Sequence, residues 1–108
     1  MKVRGIEESD YPIVASIYEK VFDYREGFID LYYKNFGEYL DFCTDQGYGL
    51  LIEDNLKVYG VIIGYEKPDM FYGKSLYIEI LAILPEEQKK GYGKILLDAM
   101  EKRQKREV

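Results

Sequence analysis

The sequence predicts an α/β (α+β) domain with elements in the order β-α-α-β-β-β-α, and three observations carry that expectation. Leu76 to Leu84 (LYIEILAIL) is a nearly continuous apolar run closed by Pro85, which reads as a strand covered on both faces. Tyr48 to Glu53 and Lys57 to Glu66 are two strand-like runs around Asp54-Asn55, which reads as a hairpin. Three further stretches, beginning near Ile13, Phe28 and Tyr92, repeat apolar residues at helical spacing. A length of 108 residues bounds the chain to a single domain over 1–108.

Composition narrows the class. The chain is 47% hydrophobic and 32% charged, which suits a globular protein and not a disordered one. It holds no apolar run near the roughly 18 residues that a membrane span needs, and MKVRGIEESD has no signal-peptide core. A single cysteine, Cys43, cannot close an internal disulfide, and a reducing, cytoplasmic location is expected. A net charge of −5 argues against general nucleic-acid binding and is compatible with a cationic substrate. With no histidine, Ser/Cys–His catalysis and His-ligated metal sites are excluded within one chain, and no metal is expected.

The elements follow in order. Lys2 to Glu7 (KVRGIE) reads as a first strand, with Val3 and Ile6 as its apolar positions. Ser9 or Asp10 caps the next helix, with Pro12 in its first turn, where a missing N–H costs nothing. Ile13, Val14, Ile17, Tyr18, Val21 and Phe22 form its core face, and Asp23 to Gly27 (DYREG) breaks the pattern. Phe28 to Asp45 is a second helical stretch with Phe28, Tyr32, Phe36, Tyr39, Leu40 and Cys43 along one stripe. Gly37 weakens it by about 1 kcal/mol relative to Ala, so a kink or two pieces is expected, and Gly47 is its stop.

In the hairpin, Gly60 and Gly64 mark places where a helix or a ligand comes close. Lys67 to Lys74 (KPDMFYGK) reads as a connecting loop. Its apolar tip, Met70-Phe71-Tyr72, lines a cleft, meets a partner or folds back on the core. Glu79 is the one charge in the apolar strand. A carboxylate there faces a wet cleft, has a raised pKa, or simply faces solvent. Either of the first two suits a general base that deprotonates an ammonium. The last helix begins near Gly93, with Tyr92, Ile95, Leu96, Ala99 and Met100 on one apolar face. The tail KRQKREV is charged and expected to fray.

The join between the apolar strand and the last helix carries the chemistry. A helix N-terminus has unpaired N–H groups and partial positive charge. Gly91 and Gly93 let a ligand approach the backbone, and Lys89, Lys90 and Lys94 add charge. This is an anion cradle suited to phosphate or pyrophosphate. It is not a Walker P-loop, since Ile95 follows Gly93-Lys94, and it lacks the third glycine of a dinucleotide fingerprint.

The run Gln88-Lys89-Lys90-Gly91-Tyr92-Gly93 after Ile83-Leu84-Pro85 resembles the acetyl-CoA-binding motif of the GNAT (GCN5-related) N-acetyltransferase family. The resemblance implies a GNAT-like fold with a mixed, mostly antiparallel sheet flanked by helices, shortened by the usual C-terminal strands and helix. It implies acetyl-CoA as acetyl donor, with Gln88 among the cofactor-binding residues and pyrophosphate contacts on Lys89, Lys90, Gly91, Tyr92, Gly93 and Lys94. Pantetheine and acetyl contacts fall on Leu81, Ala82 and Ile83, on a strand that carries a bulge in that family. By position the acceptor amine borders Phe22 to Phe28, with Tyr24, Arg25 and Phe28 as candidates, and Glu79 matches a catalytic Glu. The tyrosine that protonates the leaving thiolate in that family has no motif match here. The reaction implied is transfer of acetyl to a small-molecule or protein primary amine in a ternary complex. The alternative is a non-catalytic CoA-binding or protein-interaction module on the shortened fold. An uncovered Leu76–Leu84 edge is aggregation-prone, so a homodimer or another partner is expected to cover it.

Overall fold

The structure, a computed structural model, describes residues 1–106, Arg106 by its backbone only. The described residues form four strands and three α-helices, in the order β1 (Lys2–Gly5), α1 (Tyr11–Val21), α2 (Tyr33–Asp45), β2 (Gly49–Asp54), β3 (Lys57–Asp69), β4 (Gly73–Ile83) and α3 (Tyr92–Arg106). The element order is the expected one. The strands lie in chain order in one sheet, and each neighbouring pair is antiparallel.

The helices take opposite faces of this sheet because the strand residues alternate. Leu51, Val61, Ile63, Ile80 and Ala82 face Val14 and Ile17 of α1 and Leu40 and Cys43 of α2. Tyr48, Leu50, Ile52 and Ile62 face Leu96 and Met100 of α3. Both clusters are closed to water, so the sheet is the shared wall of two cores.

Several expectations shift. A short 3-10 turn, Glu8–Asp10, precedes α1, and Asp10 makes no cap bond to that helix. Its carboxylate accepts the Glu7 N–H at 2.8 Å and the Arg4 guanidinium at 2.8 and 3.0 Å. Ile13 and Phe22 are exposed instead of core, while Glu19 is buried on the same helix. The second helical stretch does divide, but not at Gly37: a 3-10 turn, Ile29–Tyr32, leads into an unbroken α2. Gly47, at φ 86°, follows α2 as its stop.

The β2–β3 turn sits on Asn55 and Leu56, one residue later than expected. Both have positive φ, 48° and 71°, as a two-residue turn between right-twisted strands requires. The 67–74 segment is mostly hairpin, since Lys67, Pro68 and Asp69 pair with Ser75, Lys74 and Gly73. Its tip does not fold back: Met70, Phe71 and Tyr72 are 84 to 90% exposed. The Asp69 carboxylate holds the tip by accepting the Phe71 and Tyr72 N–H groups, each at 2.9 Å. β4 is covered well only toward its C-terminal end, where Ile80 and Ala82 are buried, and it forms one edge of the sheet. α3 begins at Tyr92 and stays helical to Arg106, so the expected fraying is not seen there; Glu107 and Val108 lie outside the described residues.

Candidate active site

The site is built where β4 passes its bulge and runs into α3. In the β3–β4 ladder Ile63 pairs with Ile80 but Gly64 pairs with Ile78, so Glu79 is an extra residue with no partner. The bulge resets the side-chain alternation. Before it, Ile78 packs toward α3; after it, Ile80 and Ala82 pack toward α1 and α2. Gly64 makes this crossing possible, because a Cβ there would lie 2.4 Å from the Tyr77 carbonyl oxygen.

Beyond the bulge the ladder is regular. The Leu84 N–H donates to the Tyr59 carbonyl at 2.9 Å, so by antiparallel alternation Ala82 and Ile80 turn their backbone groups to β3. Leu81 and Ile83 turn theirs outward, to the free edge. The Ile83 carbonyl is taken there by the Gln88 side-chain amide at 3.0 Å. Of the three resemblance-implied strand residues, then, Ala82 is fully buried with its backbone in the sheet, and Leu81 and Ile83 border the edge.

The loop to α3 turns through a 3-10 segment, Pro85–Glu87, then Lys89 and Gly91 at φ 66° and 87°. α3 supplies the amides of the cradle. Ile95 N–H donates to the Gly91 carbonyl at 3.2 Å, so the N–H groups from Gly91 to Lys94 precede the first turn's acceptors. A Cβ built on Gly91 or Gly93 would meet nothing within 4 Å. The protein does not need glycine at Gly93 for its own packing, and the open backbone leaves room for a bulky anion against the helix N-terminus. The lysines are less free than the sequence suggests. Lys90 Nζ lies 2.8 Å from Glu87, whose carboxyl it holds below the usual carboxylate range, with Lys57 adding to the effect. Lys94 pairs with Asp98 at 3.4 Å. Tyr92 stacks on Tyr59, centroids 5.3 Å apart, and so serves packing at the base of the cradle.

On the opposite face of β4, Glu79 and Ile80 open into a cleft of about 420 Å³ between α1, α2 and the loop joining them. Its walls are aromatic. Tyr18, Tyr24, Phe28 and Tyr32 form a continuous ladder with centroids 5.6, 4.7 and 5.4 Å apart. The loop is pinned from below: buried Glu19 accepts the Ile29 N–H at 2.7 Å and the Gly27 N–H at 3.3 Å. Burial pushes the Tyr18 phenol up, Tyr24 adding to the effect, and it also raises Tyr39. Both rings therefore stay neutral near pH 7. The Cys43 thiol behind them is pushed up to about 11 by burial and is inert as a nucleophile.

The structure thus brings Glu79, Tyr24 and Phe28 together in one cleft, while Arg25 does not line it. Sequence reasoning missed Tyr18, Phe22, Tyr32, Phe36 and Tyr39 as cleft residues, having read the first two as core and the other three as one helical stripe. The signal was present in the spacing: Tyr18/Phe22 and Tyr32/Phe36 are aromatic pairs four apart. Among the described residues no acidic, Cys or His group could hold a metal ion, and no helix is long and apolar enough to cross a membrane.

Comparison with known proteins places this architecture. A family model described as "Acetyltransferase (GNAT) family" matches residues 11–107. No curated protein matches the chain. Among solved structures, a GNAT family acetyltransferase of Staphylococcus aureus is 25% identical with a TM-score of 0.72, over 97% of this chain and 78% of that one. A ribosomal-protein-alanine N-acetyltransferase of Brucella melitensis biovar Abortus has a TM-score of 0.75 at 17% identity, covering 98% and 73%. A GNAT family acetyltransferase of Brucella melitensis, solved in complex with acetyl-CoA, has a TM-score of 0.65 at 18% identity, covering 95% and 68%. With the strand-to-helix cradle matched inside the family's span and the fold shared with its solved members, this chain belongs to the acetyltransferase (GNAT) family of transferases.

Proposed function

We propose that the chain transfers the acetyl group of acetyl-CoA to a primary amine, with donor and acceptor bound together. The observation that carries this reading is the bulge at Glu79, which separates two half-sites along a few residues of β4. On one side lies the aromatic cleft with its carboxylate. On the other lie the outward backbone groups of Leu81 and Ile83 and the open helix N-terminus. The amides from Gly91 to Lys94 suit a pyrophosphate, and Lys89 makes no ion pair among the described residues. The outward groups of Leu81 and the Ile83 N–H suit an extended amide-bearing arm along the strand edge, the Ile83 carbonyl being held by Gln88. Acetyl-CoA, when bound, supplies an acyl group activated as a thioester.

Glu79 is the residue we assign to the proton. Its carboxylate, exposed at the cleft, holds an ammonium and takes a proton from the nitrogen, directly or through water, freeing the lone pair; the N–C bond to the acetyl carbonyl forms as the thioester C–S bond breaks, and the thiolate leaves taking a proton from water. The outward N–H of Leu81 is the donor we assign to a carbonyl oxygen at that edge. Binding both reactants side by side removes much of the entropic barrier. The test pairs calorimetry with turnover. Acetyl-CoA is expected to bind with micromolar affinity. Glu79→Gln is expected to keep that affinity within about twofold and to lower acetyl transfer by about a hundredfold or more. Equal turnover in both proteins removes Glu79 from the mechanism. Binding without turnover in the unaltered protein favours a non-catalytic CoA-binding module.

We also infer that the outer side of β4 before the bulge, from Leu76 to Ile78, is paired in solution with a second copy. Unpaired edges with apolar side chains associate unless covered. Light scattering at micromolar concentration is expected to give a mass of twice 12.7 kDa. A monomer overturns this inference.

A further inference from the structure

The cleft at Glu79 restricts which amines fit. Among the described residues Glu79 is the one charged residue in its lining, and Asn35 is the one side-chain amide. The rest of the described wall is aliphatic surface and aromatic rings, of which Tyr18, Tyr24, Tyr32 and Tyr39 carry a hydroxyl, and part of it faces water: Phe22, Tyr24 and Tyr32 are 45, 42 and 52% exposed. One ammonium at Glu79 keeps a compensating charge and gains the ring faces of the neighbouring aromatics. A second ammonium on the same molecule would find no second carboxylate in the described lining, only rings, hydroxyls and one amide. An apolar group attached near the nitrogen would instead cover the ring ladder and remove its exposed faces from water.

We propose that the acceptor is a monocationic primary amine bearing an aryl or similar apolar group a short chain away, and that polyamines are rejected. This rests on the reading of Glu79 as the acceptor-side group. The same chemistry has two sources: a free arylalkylamine, or the N-terminus of a peptide that begins with an aromatic residue.

The test measures amine binding separately from acetyl transfer, on the intact protein. Fluorine NMR titration with a para-fluorinated phenethylamine, with and without CoA, is expected to show binding about tenfold or more tighter than spermidine competing for the same site. Tyr24→Ala is expected to weaken it by about tenfold. Tyr24 is already 42% exposed, so its truncation leaves both cores intact, which circular dichroism checks. Phe28→Leu, which keeps an apolar group, is expected to weaken binding less. A peptide with N-terminal Phe identifies the source: tighter binding than phenethylamine assigns the site to polypeptide N-termini, weaker binding assigns it to small amines. Spermidine binding as tightly as phenethylamine, no amine binding in either condition, or an unchanged affinity in Tyr24→Ala overturns the proposal. Thiol release from acetyl-CoA is read in parallel. Amine binding without thiol release leaves the proposal standing and overturns catalysis, while faster transfer to spermidine than to phenethylamine does the reverse.

Discussion

Single residues here derive their meaning from backbone conformation as much as from chemistry. Glu79 is visible in the sequence as the lone charge in an apolar strand. Its cleft is visible only in the structure, because being an unpaired bulge residue is a property of two strands in register. Gly93 shows the converse. Its motif position is legible, and the structure adds that no atom of the protein requires it to be glycine, which leaves the space to a ligand. Leu56 departs from what its position demands. It sits at φ 71°, a region disfavoured for side chains with a Cβ, and its side chain is fully exposed. Leu56→Gly loses no buried surface and is expected to raise stability by about 1 kcal/mol, measured as a higher urea midpoint at unchanged slope. A lower midpoint would mean that Leu56 holds the turn by contacts outside this chain's core.

Elements were legible where periodicity was strong and misjudged where pairing decided their limits. α1, α2 and α3 follow from apolar spacing, yet the break before Tyr33 falls at a 3-10 turn and not at the helix-weakening Gly37. The Gly37 site has no neighbour within 4 Å, so its missing Cβ costs some helix propensity but forces no kink. The Lys67–Lys74 stretch looks like a loop because Pro68, Asp69 and Gly73 are turn residues. Cross-strand pairing extends β3 and β4 through most of it. Gly60 and Gly64 were legible as places of close approach, but what comes close is the neighbouring strand β4 and not a helix or ligand: a Cβ at Gly60 would lie 2.4 Å from Ile83 Cδ1. That the second of these faces the bulge, and so allows the two half-sites, needed the register.

At the scale of the molecule, charge links the N-terminal strand to the rest of the fold and sets its acid limit. Arg4 bridges Asp10 and Glu53, at 2.8 Å each, so β1, the start of α1 and the end of β2 share one guanidinium. That bond, with the Glu7 N–H adding to it, holds the Asp10 carboxyl below its ordinary 3.8. Asp69 is lowered by Ser75 and the two tip amides, and Glu87 by Lys90 and then Lys57. Each carboxylate is depressed in the folded state, so its contribution is fully present above the unfolded value and is lost as pH falls through the folded one. The melting temperature is therefore expected to stay level from neutral pH to about 5 and to fall below about 4. Asp10→Asn is expected to remove part of that acid slope, as followed by circular dichroism. An equally steep slope in the variant would assign the acid limit to other groups.

By itself the sequence determined the order of elements, the family-type cradle at the β4–α3 join, and the singular carboxylate, because helical period, strand runs and a short motif are local properties. Tertiary structure alone decided that Glu79 opens into an aromatic cleft and that Tyr24 belongs to it while Arg25 does not. It also decided that Lys90 and Lys94 are partly spent on neighbouring carboxylates. Those outcomes depend on residues far apart in the chain meeting across a bulged strand pair and a pinned loop, and no periodicity in a single stretch encodes which side chains will meet.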